Sequence, residues 1–415
     1  MTIESSNLTA QPLFDPAILA EPYEYWQALR AHAPVHRAPD VDYVVLSRYE
    51  DVIAAIRDSD AFSNRLSRRF DGGLSRFKDS DAVSEVLAGG CPYVDALAFT
   101  DDPTHAQHRK MVMRGFSVRR VRQLEEKVAE IAEQLVVALP LDTEVDLWTA
   151  LCVPLPILVM AHILGVEDPD PVTIKRWAHA QVLRFGEPRA TEEENLEIAR
   201  TLVEFHRYLV AQIESRQNAP RDDFLTDLVQ GSEGASMAEM VNVCAQLLVA
   251  GAETTASLIG SLLHRLISDP DLLAVVRAGG SSLEGAIEEA LRLDAPIKLV
   301  YRVTTRDVEV RGVTIPENTV VLCMIGSANV DSDVFPDAER FDVLRDDPDP
   351  HLAFSLGRHF CSGAALARAE ARIALDALLR RCDLRRAPTD PPRYAPNLTI
   401  RALEQLPVVL TAATR

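Results

Sequence analysis

The sequence predicts a mainly α-helical chain with small β-sheets, an α+β fold. Residues 128–216 follow a helical pattern with breaks at 169–171 and 186–188, and the second break could be the hinge of a lid or an ordinary turn. Residues 237–269 form one long, largely apolar pattern, far beyond the usual helix of about 11–12 residues. Short alternating runs at 308–310, 313–315 and 319–322 predict strands of only a few residues.

Length and composition are compatible with one large core. The chain has 415 residues, 47% of them hydrophobic, and a net charge of −19, which argues against binding to nucleic acid or to an anionic membrane surface. We expect an irregular N-terminal arm at residues 1–20 and a single domain at 21–415. The start of the chain has no basic region followed by an apolar core, so neither a signal peptide nor a membrane anchor is expected.

Six cysteines are scattered without a CxxC pair, so neither a zinc site nor a disulfide framework is indicated, and a reducing cytoplasm fits. The apolar stretch at residues 147–166 contains two prolines and a histidine, so it is interpreted as a buried core segment.

The first third of the chain combines short helices with a small β region. Residues 22–33 and 49–57 predict helices, and residues 35–37 and 43–46 predict a β-hairpin between them. A glycine-rich, charged loop follows at 64–100. In the helix that starts at Asp102, His105 and Arg109 are four residues apart and share a face that suits a carboxylate, although these two residues taken alone favour an exposed surface pair.

The middle of the long helix contains residues that a buried helix has no local reason to carry. Gly251 costs about 1 kcal/mol relative to alanine, and Glu253 is an acid beside Thr254 and Thr255. A threonine can bond back to a carbonyl one turn earlier, which leaves a purely helical explanation open for Thr255. Further on, Glu289 and Arg292 share a face at i and i+3.

The last motif is FSLGRHFCSGAALA at residues 354–367. The loop turns at Gly357, presents Cys361 and runs into an Ala- and Leu-rich helix, while Gly357 and Gly363 let a flat group approach the backbone. A cysteine at a helix N-terminus favours the thiolate that binds metals, whereas a lone cysteine beside a helix is more often a small buried hydrophobic residue.

The pattern Phe-x-x-Gly-x-His-x-Cys-x-Gly at residues 354–363 resembles the haem-binding loop of the cytochromes P450, and Glu289-x-x-Arg292 is similar to a second signature of that family. The resemblance covers residues 21–410, and residues 398–401 and 406–408 are similar to the final hairpin of the family. Two departures are Ser355, where the family more often has glycine, and Glu253, where bacterial members more often have aspartate. The resemblance implies the cytochrome P450 fold, a triangular single domain with haem b between the long central helix and the helix after the cysteine loop.

The resemblance also implies roles for individual residues. Cys361 would be the thiolate ligand of the iron, and Thr254 and Glu253 would be the catalytic pair that manages proton delivery. The other implied cofactor-binding residues are Phe354, Gly357, His359, Gly363, Ala250, Gly251, His105, Arg109 and Arg302, with His105, Arg109, Arg302 and His359 on the propionates. The implied substrate pocket is lined by Leu247, Ala250, Ile297, Val300, Leu398 and Ile400.

The implied activity is that of a haem-thiolate monooxygenase acting with O2 on a small apolar substrate. Because no stretch resembles a flavin, nicotinamide or iron–sulfur module, a separate donor is expected, an acidic 2Fe-2S ferredoxin or a flavodoxin. Residues 105–124 contain six Lys/Arg residues and no acid, and the segment Arg109–Arg122 with Arg358 is the expected docking surface. We expect a cytoplasmic monomer that binds neither nucleic acid nor membrane.

Two other activities remain open: a peroxygenase driven by hydrogen peroxide, and a non-catalytic haem-thiolate sensor or carrier-binding protein. The pairing of Glu253 with Thr254 disfavours both, because oxygen activation needs an acid and an alcohol there. Lys298 could indicate an acidic substrate, but we interpret it as pointing to solvent.

Overall fold

The structure is a computed structural model that describes residues 12–39, 41–69, 80–165, 171–185, 191–345, 350–388 and 391–413. The possible lid hinge at residues 186–188 and residues 70–79 of the glycine-rich loop lie outside the described residues. The helices are α1 Pro16–Ala20, α2 Tyr23–His32, α3 Tyr49–Arg57, α4 Asp81–Leu87, α5 Thr104–Met113, α6 Val118–Val137, α7 Pro154–Ile163, α8 Pro171–Phe185, α9 Glu192–Asn218, α10 Phe224–Gly231, α11 Met237–Ser268, α12 Pro270–Arg277, α13 Ser281–Leu293, α14 Ile325–Ala328 and α15 Ala364–Arg381.

The strands are short, as the sequence predicts. They are β1 Val35–Arg37, β2 Tyr43–Leu46, β3 Phe62–Ser63, β4 Glu144–Asp146, β5 Val300–Thr304, β6 Val308–Val310, β7 Val313–Ile315, β8 Val320–Cys323, β9 Cys382–Arg386, β10 Arg393–Tyr394, β11 Leu403–Gln405 and β12 Pro407–Ala412. The prediction of a mainly helical chain with small β-sheets is therefore confirmed.

The chain divides into two compact units. The first comprises Met1–Ser63, Val128–Leu155 and Thr254–Arg415, and the second comprises Asn64–Lys127 and Pro156–Glu253. One division point falls inside α11, between Glu253 and Thr254. A single domain from residue 21 onward stays a prediction.

A five-stranded sheet, in the order β1-β2-β8-β5-β3, is the main β element of the first unit. β2 and β8 run parallel, with Val44 opposite Val321, and every other pair in this sheet is antiparallel. All four residues of β8 are fully buried, so this strand is a continuous apolar run rather than an alternating one. Around it pack side chains from β2, α3 and α14.

The N-terminal predictions hold because they depend on local signals. β1 and β2 pair as the expected hairpin, with Val35 opposite Leu46, and α3 has the expected bounds. The arm predicted to be irregular at residues 1–20 contains the short helix α1 among its described residues. Asp15 caps α1 by accepting hydrogen bonds from the backbone N–H of Ala17 and Ile18, a capping signal that the sequence carries.

The C-terminal hairpin predicted for residues 398–401 and 406–408 is wrong. β12 instead pairs with β4 and β9 in a three-stranded sheet, and β11 pairs with β10. Ile400 forms an isolated antiparallel bridge with Ile297. Strand alternation marks where strands lie, but it does not select a partner hundreds of residues away.

The long helix α11 has 32 residues and is the one described helix that is apolar and long enough to cross a membrane. Two thirds of its apolar window is buried within the protein, as in the core helix of a globular protein. Gly251 has a packing reason: a Cβ there would lie 2.4 Å from Sδ of Met160 on α7.

The pair Glu289–Arg292 on α13 is completely buried. Arg292 donates two hydrogen bonds to the Glu289 carboxylate, at 2.7 and 2.9 Å, and three to the carbonyl oxygens of Asn329, Ala338 and Arg340. Glu289 also accepts from the Asp342 N–H and from Arg345 Nε. All of the guanidinium N–H groups and both carboxylate oxygens are therefore satisfied, which is the condition for burying such a pair. The network ties α13 to the irregular segment 329–345.

Replacing Arg292 with lysine should destabilise the protein. Lysine keeps the charge but lacks the planar fork, so carbonyl groups of residues 329–340 would lose their donors. We expect the free energy of unfolding to fall by about 3 kcal/mol, measured by urea denaturation. The matched control is Arg380→Lys, because Arg380 forms an exposed pair with Glu133 and should change stability by less than about 1 kcal/mol. Equal effects of the two substitutions would contradict a structural role for the buried pair.

Candidate functional site

The cysteine loop is closed by a hydrogen bond of its own backbone, and the guanidinium of Arg368 contacts it from outside. The Cys361 N–H donates to the carbonyl of Phe354 at 2.9 Å, and residues Gly357–His359 form a single helical turn between them. The guanidinium of Arg368 lies 4.5 Å from the centroid of the buried Phe354 ring. These contacts leave Cys361 two residues before the N-cap Gly363 of α15.

Glu288 connects the two ends of this loop, and the sequence analysis did not identify it. Its carboxylate accepts two hydrogen bonds from Arg368, at 2.6 and 2.7 Å, and one from His351 at 3.0 Å. Burial alone would raise the pKa of Glu288, but the hydrogen bonds from Arg368 and His351 lower it to about 2. The sequence does show a second glutamate beside Glu289. The residue type alone, however, does not identify the hydrogen-bond partners of an acid on a helix.

The turn of the loop depends on two residues in the left-handed region. Ser355 has φ +58° and Gly357 has φ +63°. A Cβ built on Gly357 would meet no atom within 4 Å, so the glycine is needed for its backbone conformation and the space beside it is open. Ser355 keeps the turn although it is not glycine, and its buried Oγ has no hydrogen-bond partner among the described residues.

Cys361 differs from the other five cysteines. Cys152, Cys244, Cys323 and Cys382 are buried and Cys91 is partly buried, whereas Cys361 is exposed. Burial raises the pKa of Cys244 to about 12 and that of Cys323 to about 11, so these remain thiols. Cys361 is thus the accessible cysteine, and it lies just before the N-terminus of α15.

Three of the predicted propionate-binding residues lie in well-defined positions. Arg302 on β5 is 5% exposed and donates to the Tyr301 carbonyl at 2.7 Å. His105 on α5 is 3% exposed, with Nδ1 3.6 Å from Asp102 Oδ1, and Arg109 on the same helix is half-buried. Burial lowers the pKa of His105, so near neutral pH it is a neutral donor.

The residues in the middle of α11 differ in how deeply they are buried. Ala250 is exposed and Leu247 is buried, whereas Glu253 and Thr254 are half-buried and Thr255 is buried. Burial raises the pKa of Glu253, and the positive charge of Lys175 partly offsets this rise. Because the close approach that Gly251 permits is to Met160, its assignment to cofactor binding stays a prediction.

Residues 296–298 and 399–401 lie side by side, which brings together two of the predicted pocket residues, Ile297 and Ile400. Ile297 bridges to Ile400, the Lys298 N–H donates to Thr399 O at 2.7 Å, and the Arg401 N–H donates to Pro296 O at 3.0 Å. Ile297, Val300 and Leu398 are half-buried, and Ile400 is 9% exposed. Ile297 and Ile400, together with Val300 and Leu398 from the same two segments, are called the apolar wall below.

Lys298 does not point to solvent, so that expectation is wrong. Its side chain is buried, with 2% exposed, and Nζ donates to the carbonyl of Leu19 at 2.7 Å. Burial lowers the pKa of Lys298 to about 7. The acceptor lies 279 positions earlier in the chain, so no local pattern could identify it.

The residues of the first unit fit the haem that the resemblance implies. The accessible Cys361 lies at a helix N-terminus, where a thiolate ligand is favoured. The backbone at Gly357 has open space beside it, and the buried guanidinium of Arg302 suits a carboxylate.

Replacing Ser355 with glycine should stabilise the protein, because serine pays a steric cost at positive φ that glycine does not. We expect the free energy of unfolding to rise by about 0.5–1 kcal/mol, measured by denaturation of the purified protein. Ser215→Gly, inside the regular helix α9, is the matched control and should lower stability. A lower free energy of unfolding in Ser355→Gly would refute a steric cost of serine at this turn.

Comparison with known proteins identifies the family. A family model described as Cytochrome P450 matches residues 282–410. The chain is 35% identical over 402 residues to cytochrome P450 monooxygenase PikC of Streptomyces venezuelae, covering 94% of this chain and 91% of the relative. It is 32% identical over 419 residues to vitamin D(3) 25-hydroxylase of Pseudonocardia autotrophica, covering 99% of each.

A solved structure, the P450 haem domain of Tepidiphilus thermophilus, is similar with a TM-score of 0.89 and 28% identity, covering 98% of each chain. By these similarities the chain belongs to the cytochrome P450 family, whose cofactor is haem b, and it is a P450 monooxygenase.

Proposed function

We propose that this monooxygenase inserts one oxygen atom of O2 into a C–H bond of a small apolar organic molecule, with Cys361 as the ligand of the haem iron. The observation that carries the proposal is the accessibility of Cys361 at the start of α15, in contrast to the other cysteines. When bound, haem supplies the oxygen chemistry, and a thiolate ligand favours cleavage of the O–O bond.

The protein's own groups would bind the cofactor and handle protons. His105, Arg109, Arg302 and His359 would hold the propionates through N–H donors. Glu253 holds a proton on its carboxyl group to higher pH than an exposed glutamate, because burial raises its pKa. The hydroxyl of Thr254, the next residue in the chain, can both accept and donate a hydrogen bond, so the acid and the alcohol would supply protons for oxygen cleavage.

An apolar substrate is supported by the character of the proposed pocket. Ile297, Val300, Leu398 and Ile400 form the apolar wall, and Leu247 and Ala250 are proposed to contact the substrate from α11. One relative is named as a hydroxylase of vitamin D(3), an apolar molecule. Lys298, which follows Ile297 of the wall in sequence, donates to the Leu19 carbonyl, so an acidic substrate has no support from it.

Electrons would come from a separate donor, an acidic 2Fe-2S ferredoxin or a flavodoxin, in the cytoplasm. Among the basic residues at 109–122, Lys110, Arg114, Arg119 and Arg122 are exposed. Arg120 is different, because it bonds to the side chain and carbonyl of Asp222 at 3.3 and 3.2 Å. The exposed residues of this group, together with Arg358, are the proposed docking surface for a monomeric P450.

A hydrogen-peroxide-driven peroxygenase would be identified by turnover with peroxide and none with a ferredoxin system. A haem-thiolate sensor or carrier-binding protein would show no substrate-dependent NAD(P)H consumption with any donor. Both are disfavoured because Glu253 and Thr254 retain the acid and the alcohol, and burial raises the pKa of the acid.

Replacing Cys361 with histidine should change the ligand without removing the pocket. We expect the reduced, carbon-monoxide-treated protein to lose the red-shifted Soret band that thiolate ligation produces and to absorb like a histidine-ligated haem protein. Cys91→Ser, at a partly buried cysteine, should keep the red-shifted band. A Cys361→His protein that retains this band would show that another residue holds the iron.

Reversing the charge of Arg114 should slow reduction by ferredoxin. Arg114 is exposed, and a negative charge there would oppose an acidic partner, so we expect the second-order rate of reduction to fall about tenfold at low salt and less at high salt. Stopped-flow reduction of the holoenzyme by a 2Fe-2S ferredoxin measures this.

Arg306→Glu, at an exposed arginine outside the proposed surface, is the control and should leave the rate nearly unchanged. An Arg114→Glu protein reduced at the wild-type rate at every salt concentration would remove this surface from the proposal.

A further inference from the structure

Two buried basic side chains, those of Lys298 and Arg401, bind the carboxyl end of α1. The last carbonyl groups of a helix have no partner within it, and α1 is only five residues long. Lys298 Nζ donates to Leu19 O at 2.7 Å, and Arg401 Nη1 donates to Ala20 O at 3.1 Å. Both side chains are at most 4% exposed, and cations at this end also complement the helix dipole.

The same two residues lie in the segments that form the apolar wall. Lys298 follows Ile297, and Arg401 follows Ile400, the two residues that bridge to each other. Arg401 is further fixed by Asp294, whose Oδ1 accepts from its Nε at 3.0 Å, and by the ring of Tyr394, 3.5 Å from its guanidinium carbon. Among the described residues, the Lys298 side chain has one hydrogen-bond acceptor, the Leu19 carbonyl, so this bond holds the Nζ atom against the end of α1.

We propose that Lys298 is a positioning residue that joins α1 to the apolar wall and so determines how substrates fit against Ile297, Val300 and Ile400. The inference rests on the proposed function, because it takes the wall to be part of the substrate pocket. When α1 is detached, the apolar wall would be free to shift. When α1 is attached, the apolar wall stays in place.

The attachment is linked to the protonation of Lys298. With α1 in place, the pKa of Lys298 is about 7, because burial and the charge of Arg401 lower it more than Glu21 raises it. With α1 detached and Lys298 in water, the pKa returns toward its ordinary value of 10.5. The detached state therefore binds the proton more tightly, and lowering the pH from about 10 to about 7 favours detachment. Below about pH 7 both states are protonated and the dependence ends.

Hydrogen–deuterium exchange of the holoenzyme tests the attachment. After division by the intrinsic exchange rate, we expect the opening constant of peptides covering residues 17–23 to fall about tenfold for each pH unit between about pH 7 and 9. Lys298→Met should abolish this pH dependence, and Lys110→Met, at an exposed lysine, should keep it. A wild-type protein whose opening does not depend on pH would overturn the proposal even if Lys298→Met failed to fold.

Ligand binding tests the effect on the wall. At one pH, imidazole and 1-phenylimidazole are titrated into the ferric protein and followed by the Soret band. In Lys298→Met we expect the affinity for 1-phenylimidazole to fall by about threefold or more, because its ring needs the wall, while that for imidazole is unchanged.

Unchanged affinity for both ligands would overturn the positioning role. A wild-type protein in which neither ligand shifts the Soret band would instead refute the proposed haem site, whatever hydrogen exchange shows for α1.

Discussion

The structure of the first unit depends on α13 and its two consecutive glutamates. Glu289 and Arg292 bind each other and the backbone of residues 329–345, and Glu288 binds Arg368 and His351 on either side of the cysteine loop. Removing two charges from water costs several kcal/mol for each ion, so this arrangement persists only because nearly every donor and acceptor is used. One helix thus holds the irregular chain that precedes Cys361 and the helix that follows it.

The sequence predicted those parts of the fold whose signals are local. The hairpin of β1 and β2 and the helix α3 follow from alternation and amphipathic spacing within about ten residues. The C-terminal strands could not be predicted in the same way. The run around residues 406–408 does form part of a strand, but β12 pairs with β4 and β9 rather than with residues 398–401. Pairing is decided by which apolar face fits the core, and that is a property of the whole chain.

The residues of the candidate site likewise divide into those with a local sequence signal and those defined by contacts with distant parts of the chain. Cys361, Gly357 and the Glu289–Arg292 pair were recognisable because they stand in motifs that resemble those of the family. Gly251 was also noticed, but its reason, the sulfur of Met160, comes from another helix. Ser355 departs from the glycine that the family more often has there, yet it adopts a left-handed conformation, so the turn is specified by its surroundings as well as by its own residue.

Backbone carbonyl groups explain most of what the sequence could not reveal. Hydrogen bonds to backbone carbonyl oxygens are donated by Arg292, Arg401 and Lys298. The acceptors lie far away in the sequence, either in irregular segments or at the end of a helix. Such carbonyls must find donors when buried, and a long cationic side chain can reach them where no regular secondary structure can. Every residue has a backbone carbonyl, so the sequence does not show which residue is the acceptor. The lysine or arginine donor, in contrast, can be read from the sequence. A buried lysine or arginine in an acidic chain therefore indicates that an irregular segment packs against it, although the structure is needed to show which segment it is.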